Sequence, residues 1–255
     1  MSDHSTSFMK NDWKRVLTFT CALLFLSPAL QAEETCPVEV KLLLSPETIH
    51  TVIASLSFEN ETATRVYFFD TDALDLLKQG VIVRVRQGAD NDLTVKVRVP
   101  DSLQVDTSRL REHFPCEIDR TGAGENSSYS VRRKYKTLHV PEMGKDISSL
   151  LTSSQERLLR EAGVAIDWVR VMQIATIKST KWETKAQSPF RKLALEPWEW
   201  PAGRILEIST KVSADAGPAK YAELQRLANM KGLSLSAEQG TKTRAVLETL
   251  TVRAR

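Results

Sequence analysis

Ionic side chains recur at every second residue of the apolar segments in this chain, and they are largely sorted by sign, as Arg-Arg, Lys-Arg and Glu-Asp pairs. Glu39 and Lys41 interleave with Val38, Val40 and Leu42, and Arg84 and Arg86 with Val81, Val83 and Val85. Lys96 and Arg98 alternate with Val95, Val97 and Val99, Glu117 and Asp119 flank Ile118, and Glu207, Ser209 and Lys211 interleave with Leu206, Ile208 and Val212. Residues i and i+2 share one face of a β-strand, so each segment carries an ionic face and a β-branched face. Taken singly, each is an ordinary half-buried strand with a solvated side. As a set they differ from solvated faces, which mix signs and neutral polar residues. Like charges two residues apart repel unless a ligand of opposite sign comes between them. A sheet closed on itself, with ionic faces inward and apolar faces under helices, would form a polar tunnel. Its basic residues would bind phosphate oxygens through charge-assisted hydrogen bonds, and its carboxylates would hold Mg²⁺ or Mn²⁺, hard ions that take oxygen ligands.

The remaining segments fit an α+β fold with many antiparallel strands. Strands are expected at Val38–Leu44, Ala63–Phe69, Val81–Arg86, Leu93–Val99, Cys116–Arg120 and Ser130–Lys136. Four more are expected at Val169–Thr176, Lys178–Thr184, Arg191–Leu195 and Arg204–Lys211, with Pro197–Gly203 as a hairpin tip and Thr121–Ser128 as a turn-rich patch. Helices are expected after Ser45-Pro46-Glu47, from Asp72 to Gln79 with Gly80 as its stop, from the cap Ser154 to Gly163, and through Tyr221, Leu224, Leu227 and Ala228.

The N-terminal segment stands apart. Lys10, Lys14 and Arg15 precede a 15-residue apolar run, Val16 to Leu30, and Ala29-Leu30-Gln31-Ala32 offers small residues where a signal peptidase reads. The run contains Pro28 and falls short of the roughly 20 residues of a spanning helix, so residues 1–32 read as a signal peptide and 33–255 as a single domain without a membrane anchor. Without the segment, which holds three basic and two acidic residues, the net charge falls from +3 to +2. So even a balance gives no bulk argument for nucleic acid, and any anion site must come from local sorting. The two cysteines left, Cys36 and Cys116, suit one disulfide in an oxidising compartment, tying the N-terminus to a later strand.

With these residues in view, the chain resembles the CYTH superfamily of triphosphate tunnel proteins. Val38-Glu39-Val40-Lys41 is similar to its ExExK strand. Tyr67-Phe68-Phe69-Asp70-Thr71, Leu74, Leu77, Gly80 and Val83-Arg84-Val85-Arg86 resemble its YFDT…L…L…G…LRxR stretch. Leu93–Lys96 resembles its basic strand, Glu117-Ile118-Asp119 its acidic one, Lys178 with Lys181 and Trp182 its later Lys/Arg strand, Leu206-Glu207-Ile208 its ExE strand, and Lys242 its final lysine. The resemblance implies an eight-stranded antiparallel tunnel acting on triphosphate-bearing substrates with Mg²⁺ or Mn²⁺. It assigns phosphate binding to Lys41, Arg84, Arg86, Lys96, Lys178 and Lys242, metal binding to Glu39, Glu117, Asp119 and Glu207, and catalysis to Glu117 and Lys41. Pro37 and Ser209 depart from the pattern, each standing where a glutamate is expected.

Two functional readings stay open at this stage. One is an exported, metal-dependent phosphohydrolase acting on a triphosphate or polyphosphate. The other is a non-catalytic phosphate-binding module that has lost part of its metal site. A structural envelope domain with solvated charged faces is the third possibility. No GxxxxGK[ST], GxGxxG or HExxH occurs, and His50, His113 and His139 are isolated. The run Arg132-Arg133-Lys134-Tyr135-Lys136 reads as a charge-protected strand edge rather than a nucleic-acid site, and Trp198 and Trp200 as hairpin packing.

Overall fold

The computed structural model describes residues 36–89, 91–99, 107–137, 147–185 and 190–251. The signal-peptide expectation and His139 fall outside them. Nine strands close into a barrel: β1 (Val38–Leu44), β2 (Glu59–Asp70), β3 (Val81–Gly88), β4 (Asp92–Arg98), β5 (Cys116–Thr121), β6 (Gly124–Lys134), β7 (Met172–Glu183), β8 (Ala194–Trp200) and β9 (Gly203–Val212). Their order around the ring is β1-β5-β6-β4-β3-β2-β7-β8-β9. The helices are α1 (Ile49–Leu56), α2 (Asp75–Lys78), α3 (Thr107–His113), α4 (Ser153–Glu161), α5 (Gly217–Met230) and α6 (Lys242–Thr251).

The expected tunnel is present with nine strands in place of eight, and the odd number has a consequence. A closed ring can be antiparallel throughout only if its strand count is even. The chain resolves this at β1 and β5, which run parallel over three register pairs, Val38↔Ile118, Glu39↔Asp119 and Val40↔Arg120. This seam is short, and the Cys36–Cys116 disulfide clamps its start. The Ile118 amide donating to the Pro37 carbonyl at 2.9 Å adds a hydrogen bond there.

Several expected boundaries move. The expected strands Val169–Thr176 and Lys178–Thr184 merge into one, β7, because the buried Ile177 continues the alternation and pairs with Val66, while Val169 and Arg170 lie in a 3-10 turn before it. The expected tip Pro197–Gly203 is mostly strand, with the turn only at Pro201 and Ala202. The β7–β8 ladder pairs Ser179 with Trp198 and resumes at Trp182 with Leu195, so Pro197 falls in an interruption where its missing N–H costs little. Most of the patch Thr121–Ser128 is strand, because β5 and β6 form a tight hairpin around Gly122-Ala123. The cap of helix α4 is Thr152, two residues before the expected Ser154, since Thr152 and Gln155 form a reciprocal capping box. Helix α3 has no counterpart in the expectations.

The β-branched faces point outward, as the alternation requires. Val81, Val83, Val85, Leu93, Val95 and Val97 pack under Leu110 of α3 and Leu158 and Leu159 of α4. Val38, Val40, Leu42, Leu206 and Ile208 pack under Val52 and Leu56 of α1 and Leu224 and Ala228 of α5. The inner wall is divided. Strands β2, β7 and β8 contribute Val66, Phe68, Ile177 and Trp198, and α6 lays Val246 and Leu247 against them. The helix thus covers the apolar part of the lumen and leaves the ionic part open.

Two motif residues act through the backbone. Asp70, at the end of β2, accepts hydrogen bonds from the amides of Thr71, Leu76 and Leu77 at 2.7, 2.8 and 3.0 Å, which anchors α2. Gly80 has φ +75°, and a Cβ there would meet the Arg98 carbonyl at 2.4 Å. Only glycine lets the start of β3 close on the end of β4, where the Arg98 amide donates to the Gly80 carbonyl at 2.8 Å.

Because the disulfide clamps the shortest seam across a long loop, replacing Cys36 and Cys116 together by serine should lower stability by about 2–4 kcal/mol. Urea unfolding of the oxidised protein and the double variant measures this. Equal midpoints would mean the ladder alone holds the seam.

Candidate functional site

The register decides which side chains enter the lumen. Glu39, Lys41 and Leu43 of β1 face inward beside Lys211, Ser209 and Glu207 of β9. Ile82, Arg84 and Arg86 of β3 lie beside Lys96, Thr94 and Asp92 of β4, and Glu117 and Asp119 of β5 complete the ionic arc. The four side chains on which the tunnel reading depends most, Arg84, Arg86, Lys96 and Glu117, therefore share one interior.

They form two groups. The first centres on Asp119, which is only 1% exposed. Lys41 Nζ lies 2.7 Å from its carboxylate and 3.0 Å from that of Glu39. Lys96 Nζ lies 3.3 Å from Asp119 and 3.5 Å from Glu117, and Arg98 reaches Asp119 at 3.7 Å. Lys211 pairs with Glu117 at 2.8 Å, and the Ser209 hydroxyl donates to Glu39 at 3.2 Å. The second group centres on Lys242, which pairs with Glu196 and, at 3.0 Å, with Glu207. Glu196 also accepts from Ser179 Oγ at 2.6 Å and from the Trp198 indole at 2.8 Å. The Lys242 ammonium stands 4.7 Å from the Trp198 ring centre, a cation–π contact.

Between the groups lies a cavity of about 70 Å³. Its lining includes five cations, Lys41, Arg84, Lys96, Arg98 and Lys242, against two carboxylates, Asp119 and Glu207. Arg84 makes no ion pair among the described residues, and its Nε is buried without a hydrogen-bond partner. Arg98 Nε and Thr241 Oγ1, both on groups that border this cavity, are likewise buried without a hydrogen-bond partner; the orphaned Glu207 Oε2 there is an acceptor, which calls for a proton or a cation instead. Buried polar atoms are nearly always satisfied, so a cluster of orphaned donors around one excess-positive space marks a place for an anion.

The electrostatics agree. Burial, and then the neighbouring Arg86, lower the Arg84 guanidinium to about 10. Burial, reinforced by Lys41, also lowers Lys96. Burial works against the charged form of Lys41 and Lys242 as well, but carboxylates outweigh it: Glu39 and Asp119 hold Lys41 well above its usual value, and Glu196 and Glu207 raise Lys242. Burial raises Asp119 less than Lys41 and Lys96 lower it, so it lies far below the carboxylate range. Glu196 is held at about 2 against burial, chiefly by Lys242. Glu207 is pushed up by burial.

For a metal, the donors fit at one place. Carboxylate oxygens of Glu39, Glu117 and Asp119 lie within 4.8 Å of one another, an all-oxygen set suited to a hard divalent ion. Of the residues assigned to metal, Glu207 is the exception: it stands with Glu196 and Lys242 instead. Of those assigned to phosphate, Lys41, Arg84, Lys96 and Lys242 line the cavity. Arg86 lies beyond it, bonded to Asp92 at 2.6 Å. Lys178 does not belong to the site. It pairs in register with Arg65 and Glu199, on the face opposite Ile177 and Ser179, and its side chain is exposed.

Some participants were not assigned from the sequence. Arg98 follows Lys96 at the next alternate position, so its signal was present in the strand pattern. Glu196 and Trp198 were obscured because Pro197 between them suggested a turn. Thr241 and Thr243 carried no periodic signal, since they enter the cavity from the start of a helix.

Among known proteins, the family model for the CYTH domain matches residues 37–239. A putative adenylyl cyclase from Hippeastrum, described as having a dominant triphosphatase activity, superposes with a TM-score of 0.58 at 20% identity, covering 83% of this chain and 94% of its own. A putative adenylate cyclase from Bacillus halodurans gives 0.57 at 16% identity, covering 82% and 96%. At these identities the two structures speak to the fold alone. A comparison with curated protein sequences found no significant match. With the family model spanning all nine strands and the first ionic group, the chain belongs to the CYTH domain family.

Proposed function

We propose that this protein is an exported, metal-dependent phosphohydrolase that cleaves a triphosphate or polyphosphate inside the barrel. The observation that carries the proposal is the convergence of unpartnered Arg84 and Arg98 nitrogens with Lys41, Lys96 and Lys242 on one cavity beside three clustered carboxylates. The Hippeastrum protein's described triphosphatase activity supports this reading of the shared fold.

The chain's own residues would divide the work as follows. Arg84, Lys41, Lys96 and Lys242 hold the phosphate chain, with Arg98 as a further donor. Glu39, Glu117 and Asp119 would hold Mg²⁺ or Mn²⁺, which supplies charge neutralisation at the phosphoryl oxygens. Lys41 and Lys96, now on those carboxylates, would turn to phosphate once the acidic group has another cation. Glu117, the least buried of the three clustered carboxylates, would orient an attacking water. Catalysis of this kind is mainly placement and electrostatics, which the fixed barrel wall supplies before the ligand arrives.

A second reading has its own support. Pro37 offers a backbone carbonyl to Ile118 and Ser209 a hydroxyl to Glu39, where the family pattern has carboxylates. With only three clustered carboxylates, the protein would bind a phosphate chain without cleaving it.

Incubation with tripolyphosphate and Mg²⁺ or Mn²⁺, reading released phosphate, separates the two. Hydrolysis that is lost on chelation, restored by the ion, and reduced at least about 100-fold by Glu117→Gln supports the enzyme. Tight binding without release supports the binding module.

Arg84→Ala should weaken tripolyphosphate binding about 10- to 100-fold, the range of a charge-assisted hydrogen bond, while Lys178→Ala, on the outer face, should leave it unchanged. Calorimetry on both variants decides; equal losses would place the phosphate elsewhere.

The pH dependence has a definite sign. Anion binding needs the cavity's cations protonated, and burial lowers Lys96, Arg98 and Arg84, the last to about 10. Affinity should therefore hold through neutral pH and fall as pH rises through about 10, a fall reduced in Arg84→Ala. An unchanged high-pH limb in the variant would exclude Arg84 as its source.

A further inference from the structure

Helix α6 breaks the usual electrostatic rules at its start. Helix N-termini carry partial positive charge and favour acidic residues in the first turn. Here the first turn is Lys242-Thr243-Arg244 and holds no acidic residue. Thr241 stands at the capping position, where a threonine oxygen ordinarily accepts an amide of its own helix. Its Oγ1 instead has no hydrogen-bond partner, although the residue is only 7% exposed. Thr241, Lys242 and Thr243 all line the cavity, so the helix start, the bare hydroxyl and the Lys242 ammonium meet at one space.

This end of the helix is also fixed in place. The β1–β5 ladder stops at Val40, which leaves the backbone of Leu43 without a strand on that side. The Gln239 carboxamide replaces it, accepting from the Leu43 amide at 3.0 Å and donating to the Leu43 carbonyl at 2.7 Å. The Gln239 carbonyl accepts from the Ala123 amide at 3.0 Å, binding the same loop to the β5–β6 turn. A loop tied to both sides of the seam holds Thr241 two residues further on.

We infer that the start of α6 is a phosphoryl seat: the Thr241 hydroxyl and the free first-turn amides of α6, with Lys242 and Arg98, receive one phosphoryl group of the bound polyanion. The first amides of a helix have no partner within it and bind phosphate oxygens readily. The Arg98 Nε, buried and unpartnered on the same cavity, supplies a charged donor. Glu207 faces this space as well and, with Glu196, pairs with Lys242, so the free donors of the seat are those of Arg98 and Thr241. A bound dianion would satisfy the Thr241 hydroxyl and the Arg98 Nε. The seat rests on the phosphate-binding reading above and adds to it a neutral donor that discriminates by hydrogen bonding as well as charge.

Thr241→Val keeps the β-branched shape and removes the hydroxyl, and Thr241→Ser keeps the hydroxyl. Calorimetric titration with tripolyphosphate, without metal, should give a dissociation constant raised about 5- to 10-fold in Thr241→Val and near the parent value in Thr241→Ser. Unfolding midpoints of the variants show whether the helix start is intact. If Thr241→Val binds as the parent does while Arg84→Ala binds weakly, the seat is wrong and the phosphate reading stands. If Thr241→Ser loses as much as Thr241→Val, the residue acts through packing and the seat is also wrong. If the parent protein binds tripolyphosphate neither without metal nor with Mg²⁺, both readings fall.

Discussion

Everything in the lumen depends on one balance, between the cost of burying ionised groups and the attraction among them. Asp119 is almost wholly enclosed, and it remains ionised because Lys41, Lys96 and Arg98 surround it. Removing Asp119 would leave these three cations without their shared counter-charge away from water, a situation that typically costs several kcal/mol. The outer faces show the opposite economy of design. There, valines and leucines of the same strands meet helices through ordinary apolar packing, which stabilises the barrel without reference to its contents. The strand alternation thus separates two tasks: one face keeps the barrel folded, and the other keeps its interior charged.

The fold was legible where the alternation was strict. Strands β1, β3, β4 and β9 could be read because each valine or leucine face stands against a charged face, and their inward residues met as expected. Legibility failed where local chemistry imitated a turn. Pro197 lies inside a strand because the ladder is interrupted beside it, a tertiary circumstance invisible along the chain. Ile177 looked like a break between strands and is instead the middle of one. Closure by a parallel seam was equally hidden, since nothing in the segment Cys116–Thr121 states the direction of its neighbour.

The site was legible to the same degree. Sign-sorted strands gave Lys41, Arg84, Lys96, Glu117 and Asp119, because period-two spacing fixes a shared face. Lys178 was misplaced by a motif match that ignored parity: Ile177 and Ser179 take the inner positions of β7, so the lysine between them must point outward. The donors from Thr241 and Thr243 could not have been found by any strand rule. They depend on where a helix begins in space, and that is set by Gln239 completing the hydrogen bonds of a distant strand.

The lumen's internal ion pairs also set a condition on what can enter. Each lysine of the first group already holds a carboxylate at close range, so an arriving anion is a competitor before it is a guest. A ligand with one or two charges exchanges one partner for another and gains little. A chain of several phosphoryl groups displaces many contacts at once and leaves the freed carboxylates together, repelling one another until another cation joins them. On the proposed function the barrel would behave as a valence filter, in which entry of a highly charged chain and recruitment of a cation are two halves of a single exchange.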